Sequence, residues 1–312
     1  MKKEEAERGC VVTVGTFDGV HRGHQEVLRE LKEAARQRDL RPVVVTFDRH
    51  PLEIVAPERA PLLLQSREER DALLRSFGVE VKEVSFTSSL SSLTAGEWME
   101  ELRNRFKAEI LISGYDNKFG RDGHSLSPDD YVALGKEKGI EVVVARELPG
   151  VCSSLIRRAL QDGDVERAAE MLGRDYSVKG DVVEGRHLGR TIGFPTANLD
   201  VSARRQLPAT GVYSARVEGR PAVVNVGHNP TVDSDNPITV EAHVLEFSGN
   251  LYGRIVELEF LRRIRDEKRF GSLEELKTQI AKDVEFCLAT EGLPCRLPCH
   301  RRRQTLETNR DD

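Results

Sequence analysis

The chain has 312 residues, 38% of them hydrophobic and 32% charged, with a net charge of −5 at pH 7. That length and balance fit a soluble globular protein with room for two cores, and no apolar run approaches a membrane span. The mild, mixed charge argues against a general nucleic-acid binder, and five scattered cysteines argue against a disulfide framework.

Residues 10–14 form an apolar, β-branched run that reads as a buried strand. Within 25–38, Val27, Leu28, Leu31, Ala34 and Ala35 recur at helical spacing. Between the two lies Val14-Gly15-Thr16-Phe17-Asp18-Gly19-Val20-His21-Arg22-Gly23-His24, a glycine turn with two histidines one turn apart where the helix begins. Further strands are expected at 43–47, 110–112 and 142–145, and helices at 66–76, 95–106 and 153–160. Alternating strands and helices imply a Rossmann-like parallel sheet, with ligands at the carboxyl ends of its strands.

After Gly173 the pattern changes to short strands at 176–183, 212–217, 222–226, 239–247 and 255–260, with no helix between them. That pattern suggests a small antiparallel β-barrel. One helix follows, opened by a Ser272/Glu275 capping box and striped by Leu273, Leu276, Ile280, Val284 and Cys287. The expected domains are therefore 1–174 and 175–290, with 291–312 a disordered tail.

A helix N-terminus suits phosphate, because it offers unpaired N–H groups and the positive end of a dipole. His21 and His24 add donors for charge developing on a phosphoryl group, and Gly15, Gly19 and Gly23 permit close backbone approach. A lone His-x-x-His pair often only caps a turn; the full eleven-residue string is far more particular. No P-loop motif occurs anywhere in the chain.

A second constellation runs from Gly180-Asp181-Val182-Val183-Glu184-Gly185 into Leu188-Gly189-Arg190-Thr191-Ile192-Gly193-Phe194-Pro195-Thr196-Ala197-Asn198-Leu199. Thr196 and Asn198 are neutral oxygen donors suited to Mg²⁺, and Arg190 with the glycine-loop N–H groups can hold phosphates. Thr239, Glu241 and His243 share one strand face by period-two geometry. Such polar faces are usually just solvated.

The first string resembles the adenylyltransferase half of bacterial bifunctional riboflavin kinase/FAD synthetases, and residues 188–199 closely resemble the riboflavin kinase signature of that family. The likeness continues through Asn225-Val226-Gly227, Glu241-Ala242-His243, Leu251-Tyr252-Gly253 and Arg265-Asp266-Glu267-Lys268-Arg269-Phe270. In the first half it extends to 46–51, 114–120 and Cys152-Ser153-Ser154-Leu155-Ile156-Arg157. Departures from the family pattern fall at Asp48, Arg49, Asn117, Ser154 and Leu155.

The resemblance implies a nucleotidylyltransferase-like α/β domain followed by a kinase barrel that binds ATP without a P-loop. His21, His24 and Glu241 become the catalytic candidates. Gly15, Phe17, Asp18, Gly23, Ser153, Ser154 and Arg157 would bind ATP in the first domain, and Gly185, Arg190, Thr196 and Asn198 in the second. Flavin would meet Asp116, Asn117, Tyr252 and Arg265, and Mg²⁺ would be held by Thr196 and Asn198.

The expected activity is phosphorylation of riboflavin to FMN and adenylylation of FMN to FAD, with pyrophosphate released. The rivals are a kinase with a weakened adenylyltransferase domain, and a non-catalytic flavin- or nucleotide-binding regulator. Riboflavin, FMN and ATP are the expected partners, with no nucleic acid or membrane; the sequence does not speak to self-association. Met1-Lys2-Lys3-Glu4-Glu5 lacks the apolar core of a secretion signal, so a cytoplasmic location is expected. Cys295, Cys299 and His300 lack a nearby fourth ligand, so a solvated tail is preferred there over a zinc site.

Overall fold

The computed structural model of the chain describes residues 8–115, 118–185, 192–228 and 238–291. Strands β1 (Cys10–Val14), β2 (Arg41–Phe47), β3 (Glu80–Val84), β4 (Ala108–Ser113) and β5 (Glu141–Val144) form one sheet in the order β3-β2-β1-β4-β5. Every neighbouring pair is parallel. The order runs outward in opposite directions from β1 and β4, so a crevice opens at their carboxyl ends.

Period-two alternation sends Val12 and Val14 to one face and Val11 to the other. Val12 and Val14 pack with Trp98, Met99 and Leu102 of a helix over Ala95–Phe106, while Val11 packs with Leu28 and Leu31 of helix α1 (Arg22–Arg38). Thr94 and Glu97 close a capping box at the start of Ala95–Phe106, and Ser66 and Glu69 close another before Arg67–Ser76. The expected helix at 25–38 begins earlier, because His21 itself is the N-cap.

The second half is built of strands β6 (Tyr176–Val183), β7 (Ala197–Asp200), β8 (Gly211–Val217), β9 (Arg220–His228), β10 (Ile238–Val244) and β11 (Ile255–Arg265). They form a closed barrel in the order β10-β7-β6-β11-β8-β9. All the pairs are antiparallel, and closure leaves no open edge. Val178, Val224, Val240, Leu258 and Phe260 fill the interior. The C-terminal helix, Leu273–Glu291, lays Cys287 and Val284 against Val212, Val223 and Leu245. Residues 292–312, including Cys295, Cys299 and His300, lie outside the described residues.

Two helices, α2 (Ser153–Gln161) and α3 (Val165–Leu172), join sheet to barrel. Ile156, Leu160, Ala168 and Leu172 share one buried cluster with Tyr176, Val178 and Phe260 of the barrel. A backbone bridge pairs Leu63 with Arg205 across the same junction, and the Arg205 guanidinium reaches Glu69 and the Ser177 carbonyl. The apolar core is therefore continuous through the point where the chain passes from helix to barrel.

Candidate active sites

A cavity of about 490 Å³ opens at the carboxyl ends of β1 and β4. Gly15, Thr16, Phe17, His21, Gly23 and His24 line one side, and Cys152, Ser153 and Ser154 at the start of α2 line another. Two helix N-termini thus converge on one space, each with backbone N–H groups that have no intrahelical acceptor. Such a pair favours a polyanion.

The histidines are held by each other and by the turn. The His24 N–H donates to Nδ1 of His21 at 3.3 Å, which leaves Nε2 of His21 as its N–H donor. The rings stack at 3.6 Å, and Phe17 packs against His24 at 5.0 Å. A Cβ at Gly23 would lie 3.2 Å from the His21 ring, a tight contact that would press on that ring. Burial, then the positive charges of Arg174 and Arg157, push His21 down to about 4. Burial and His21 hold His24 well below its ordinary value. Both imidazoles are neutral at pH 7.

Asp18 and Arg157 do not line this cavity. The Asp18 carboxylate accepts the N–H groups of Leu64 (2.9 Å) and Gln65 (3.2 Å) and forms a buried ion pair with Arg157. Arg157 also donates to the Leu62 carbonyl at 2.7 Å. The expected ATP ligands at these two positions are committed to fastening the turn to α2 and to the loop at 62–65. Ser153 donates to the Asp18 carbonyl at 2.9 Å and still borders the cavity, where Ser154 is exposed.

Lys118 and Arg146 also line the cavity, and the sequence reading did not single them out. Lys118 sits in the quoted 114–120 loop, and a cation beside a phosphate-binding turn was the available signal. Arg146 follows β5 with no motif around it. Asp116, Asn117 and Arg190 lie outside the described residues.

In the barrel, Thr196 and Tyr252 line a cavity of about 520 Å³ at one mouth, together with Val182, Ala242 and Val244 from the inner wall. Glu241 is elsewhere. Val240, Ala242 and Val244 are buried toward the interior, so Glu241 faces outward. There it stands in register with Asn198 on β7 and Asn225 on β9, giving a polar row across three strands. A Cβ at Gly185 would fall 1.9 Å from Nδ2 of Asn198, so any larger residue there would displace that amide. The structure therefore brings Asn198 and Glu241 together and puts Thr196 at the neighbouring mouth.

His243 and Arg265 are structural ties. Nδ1 of His243 bonds the Pro195 carbonyl at 2.8 Å, and Phe194 packs edge-on against its ring at 5.5 Å, which anchors the Pro195-Thr196 turn. Arg265, an expected flavin contact, forks onto Asp283 of the C-terminal helix at 2.8 and 3.1 Å. Asp283 is 1% exposed, so the pair clamps that helix to the barrel. Among the described residues no group of three or more His, Cys, Asp or Glu could hold a metal. Thr196 and Asn198 supply neutral oxygen donors of the kind Mg²⁺ accepts beside nucleotide phosphates.

The FAD synthetase family model matches residues 3–153, and the riboflavin kinase family model matches residues 172–290. The bifunctional riboflavin kinase/FMN adenylyltransferase of Escherichia coli strain K12 is 38% identical over 294 residues, spanning 89% of this chain and 91% of that protein. Its counterpart in Bacillus subtilis is 33% identical over 91% of this chain and 93% of that protein. The chain belongs to this bifunctional family. A solved structure described as a macrolide-efflux protein from Streptococcus pneumoniae superimposes with a TM-score of 0.80 at 34% identity, covering 93% of this chain and 97% of that one. Efflux is said of that protein; among the described residues here, no helix is long and apolar enough to cross a membrane.

Proposed function

We propose that the protein phosphorylates riboflavin to FMN at the barrel and adenylylates FMN to FAD at the α/β cavity, with ATP as the donor in both steps. The observation that carries the reading is the stacked, neutral His21/His24 pair at the meeting of two helix N-termini, in a chain matched along its length by both family models.

In the adenylyl step an FMN phosphate oxygen attacks the α-phosphorus of ATP, the bond to the bridging oxygen breaks, and its electron pair leaves with pyrophosphate. The nucleophile is already anionic, so no base is required. His21 and His24 donate N–H bonds to the oxygens on which charge builds, and the N–H groups at the start of α2 hold the departing phosphates.

In the kinase step a ribityl hydroxyl attacks the γ-phosphorus, its proton passes to the Glu241 carboxylate, and the bond from the γ-phosphorus to the bridging oxygen breaks, its electron pair leaving with ADP. Thr196 and Asn198 would hold Mg²⁺, which would supply charge neutralisation of the ATP phosphates. Tyr252 at the barrel mouth is assigned to the flavin side, and Gly185 lets the loop approach Asn198 and the nucleotide. The adenylyltransferase unit is assigned to 1–174 and the kinase unit to 175–290.

Incubation with riboflavin, ATP and Mg²⁺, followed by chromatography of the flavins, tests the whole reading. FMN and FAD are both expected. FMN alone would overturn the adenylylation half, and neither product would favour a binding regulator.

A further inference from the structure

The histidine turn is not held by β1 and α1 alone. Gln25 donates through Nε2 to the Val20 carbonyl and to the Leu172 carbonyl, both at 2.9 Å. Arg174 donates through Nη2 to the Gly19 carbonyl at 2.8 Å and through Nη1 to the Leu172 carbonyl at 3.4 Å. Gly19 and Val20 both have positive φ, 86° and 37°. A β-branched residue with positive φ is a true outlier, and such backbone persists only where its surroundings over-determine it. The bond to Gly19 comes from Arg174, two residues before Tyr176 opens the barrel, and the bond to Val20 comes from Gln25 of α1, whose amide also reaches Leu172 at the end of α3.

We infer that Arg174 is a positioning residue for adenylylation, keying the Gly19-Val20-His21 turn to the first barrel strand, with Gln25 as a second tie. The inference rests on His21 and His24 being the adenylylation site. Arg174 is not among the residues that line the cavity; it acts through the Gly19 carbonyl, two residues before His21. The helices that carry Leu172 share their core with the barrel, so the seating of the barrel fixes where the turn is held. His21 is faced by His24 from α1, by Arg157 from α2 and by Arg174 from the junction. Removing one cation from that set lets its imidazole protonate at higher pH.

The test uses the full chain and follows FAD formation from supplied FMN beside FMN formation from riboflavin. Arg174→Gln is expected to lower kcat for adenylylation on the order of tenfold to a hundredfold, as a small misplacement of reacting groups does. The kinase rate should hold, and the acid limb of the adenylylation profile should move to higher pH. Arg174→Lys should return that limb to its original position while restoring kcat only in part, because an ammonium lacks the planar fork that spans two carbonyls. Gln25→Leu should lower adenylylation alone.

Wild-type adenylylation in either Arg174→Gln or Gln25→Leu would overturn the inference. So would an equal fall of both activities with the acid limb unmoved, which is what a purely structural role produces. His21→Ala separates the two levels of argument. Retained FAD formation in that variant refutes the site itself, whereas its loss beside a normal Arg174→Gln refutes only the positioning role.

Discussion

The imidazoles of His21 and His24 stack at 3.6 Å with an angle of 18° between their planes. At that separation a proton on one ring raises the cost of a proton on the other, and the surrounding burial opposes both. The pair is thus a set of neutral N–H donors until a polyanion enters the cavity. This is the state suited to receiving charge without first releasing a bound counterion.

Replacing either ring tests that role. His21→Ala or His24→Ala should reduce FAD formation by on the order of a hundredfold, the usual loss for one preorganised donor. FMN formation should continue, because the Glu241 row lies on the barrel. Parallel measurement of the two rates checks this, and an equal loss of both would mean misfolding or a single shared site.

The depressed His21 value also enters stability. The unfolded group titrates near 6.5 and the folded one at about 4, so the unfolded chain binds the extra proton between those values. The contribution is complete above pH 6.5 and is lost as pH falls toward 4, amounting to roughly 3 kcal/mol across that window. Urea melts of the protein at pH 7 and pH 5 should show the decline. In His21→Gln the slope over this interval should be shallower; an identical slope would count against the burial account.

Much of this site was legible in the sequence because its residues are contiguous. The strand, the glycine turn and the helix from His21 onward lie within one short stretch, and the polar string ending at Asn198 does likewise. What stayed hidden depends on distant partners. Nothing near Arg157 announces that Asp18, 139 positions away, takes its guanidinium, and nothing near Arg265 points to Asp283. Both arginines read as ligands, and the structure places each in an ion pair with a carboxylate distant in sequence.

Missed elements have equally local causes. Strand β3 buries only Val84, with Glu80, Lys82 and Glu83 along it. Strand β7 has Leu199 as its one fully buried residue, so Ala197–Asp200 reads as a turn. The helix at Pro128–Lys138 buries only Tyr131 and Gly135, although Ser127 and Asp130 form a capping box before it. Short apolar stripes give periodicity too little to work on.

Continuity of the core bears on dissection of the chain. A fragment of residues 174–291 would expose Tyr176, Val178 and Phe260 where Ile156, Leu160 and Leu172 now cover them. A fragment of residues 153–291 keeps that cover. The longer piece should be the more soluble and should melt at the higher temperature, with kinase activity retained. Equal behaviour of the two fragments in thermal melts would show that the helices contribute nothing to the barrel.

Glu241 carries the most specific expectation for the kinase step. It faces outward from β10 in register with Asn198 and Asn225, so an amide in its place would still find polar neighbours of the same kind. Glu241→Gln therefore keeps size and hydrogen bonding while removing the proton acceptor. General-base contributions are typically about 10² to 10⁴ in rate, roughly 3 to 5 kcal/mol, and kcat for FMN formation should fall by that order. KM values should move little, and FAD formation from supplied FMN should be unchanged, since that step is assigned to the cavity lined by His21 and His24. A merely solvated strand residue would give a different result, with stability shifted by no more than about 0.5 kcal/mol and turnover near normal. Normal FMN formation in the Gln variant would thus remove Glu241 from the chemistry. The barrel and its Asn198–Glu241–Asn225 register would stand without it, and the proton would have to leave the ribityl hydroxyl by another acceptor.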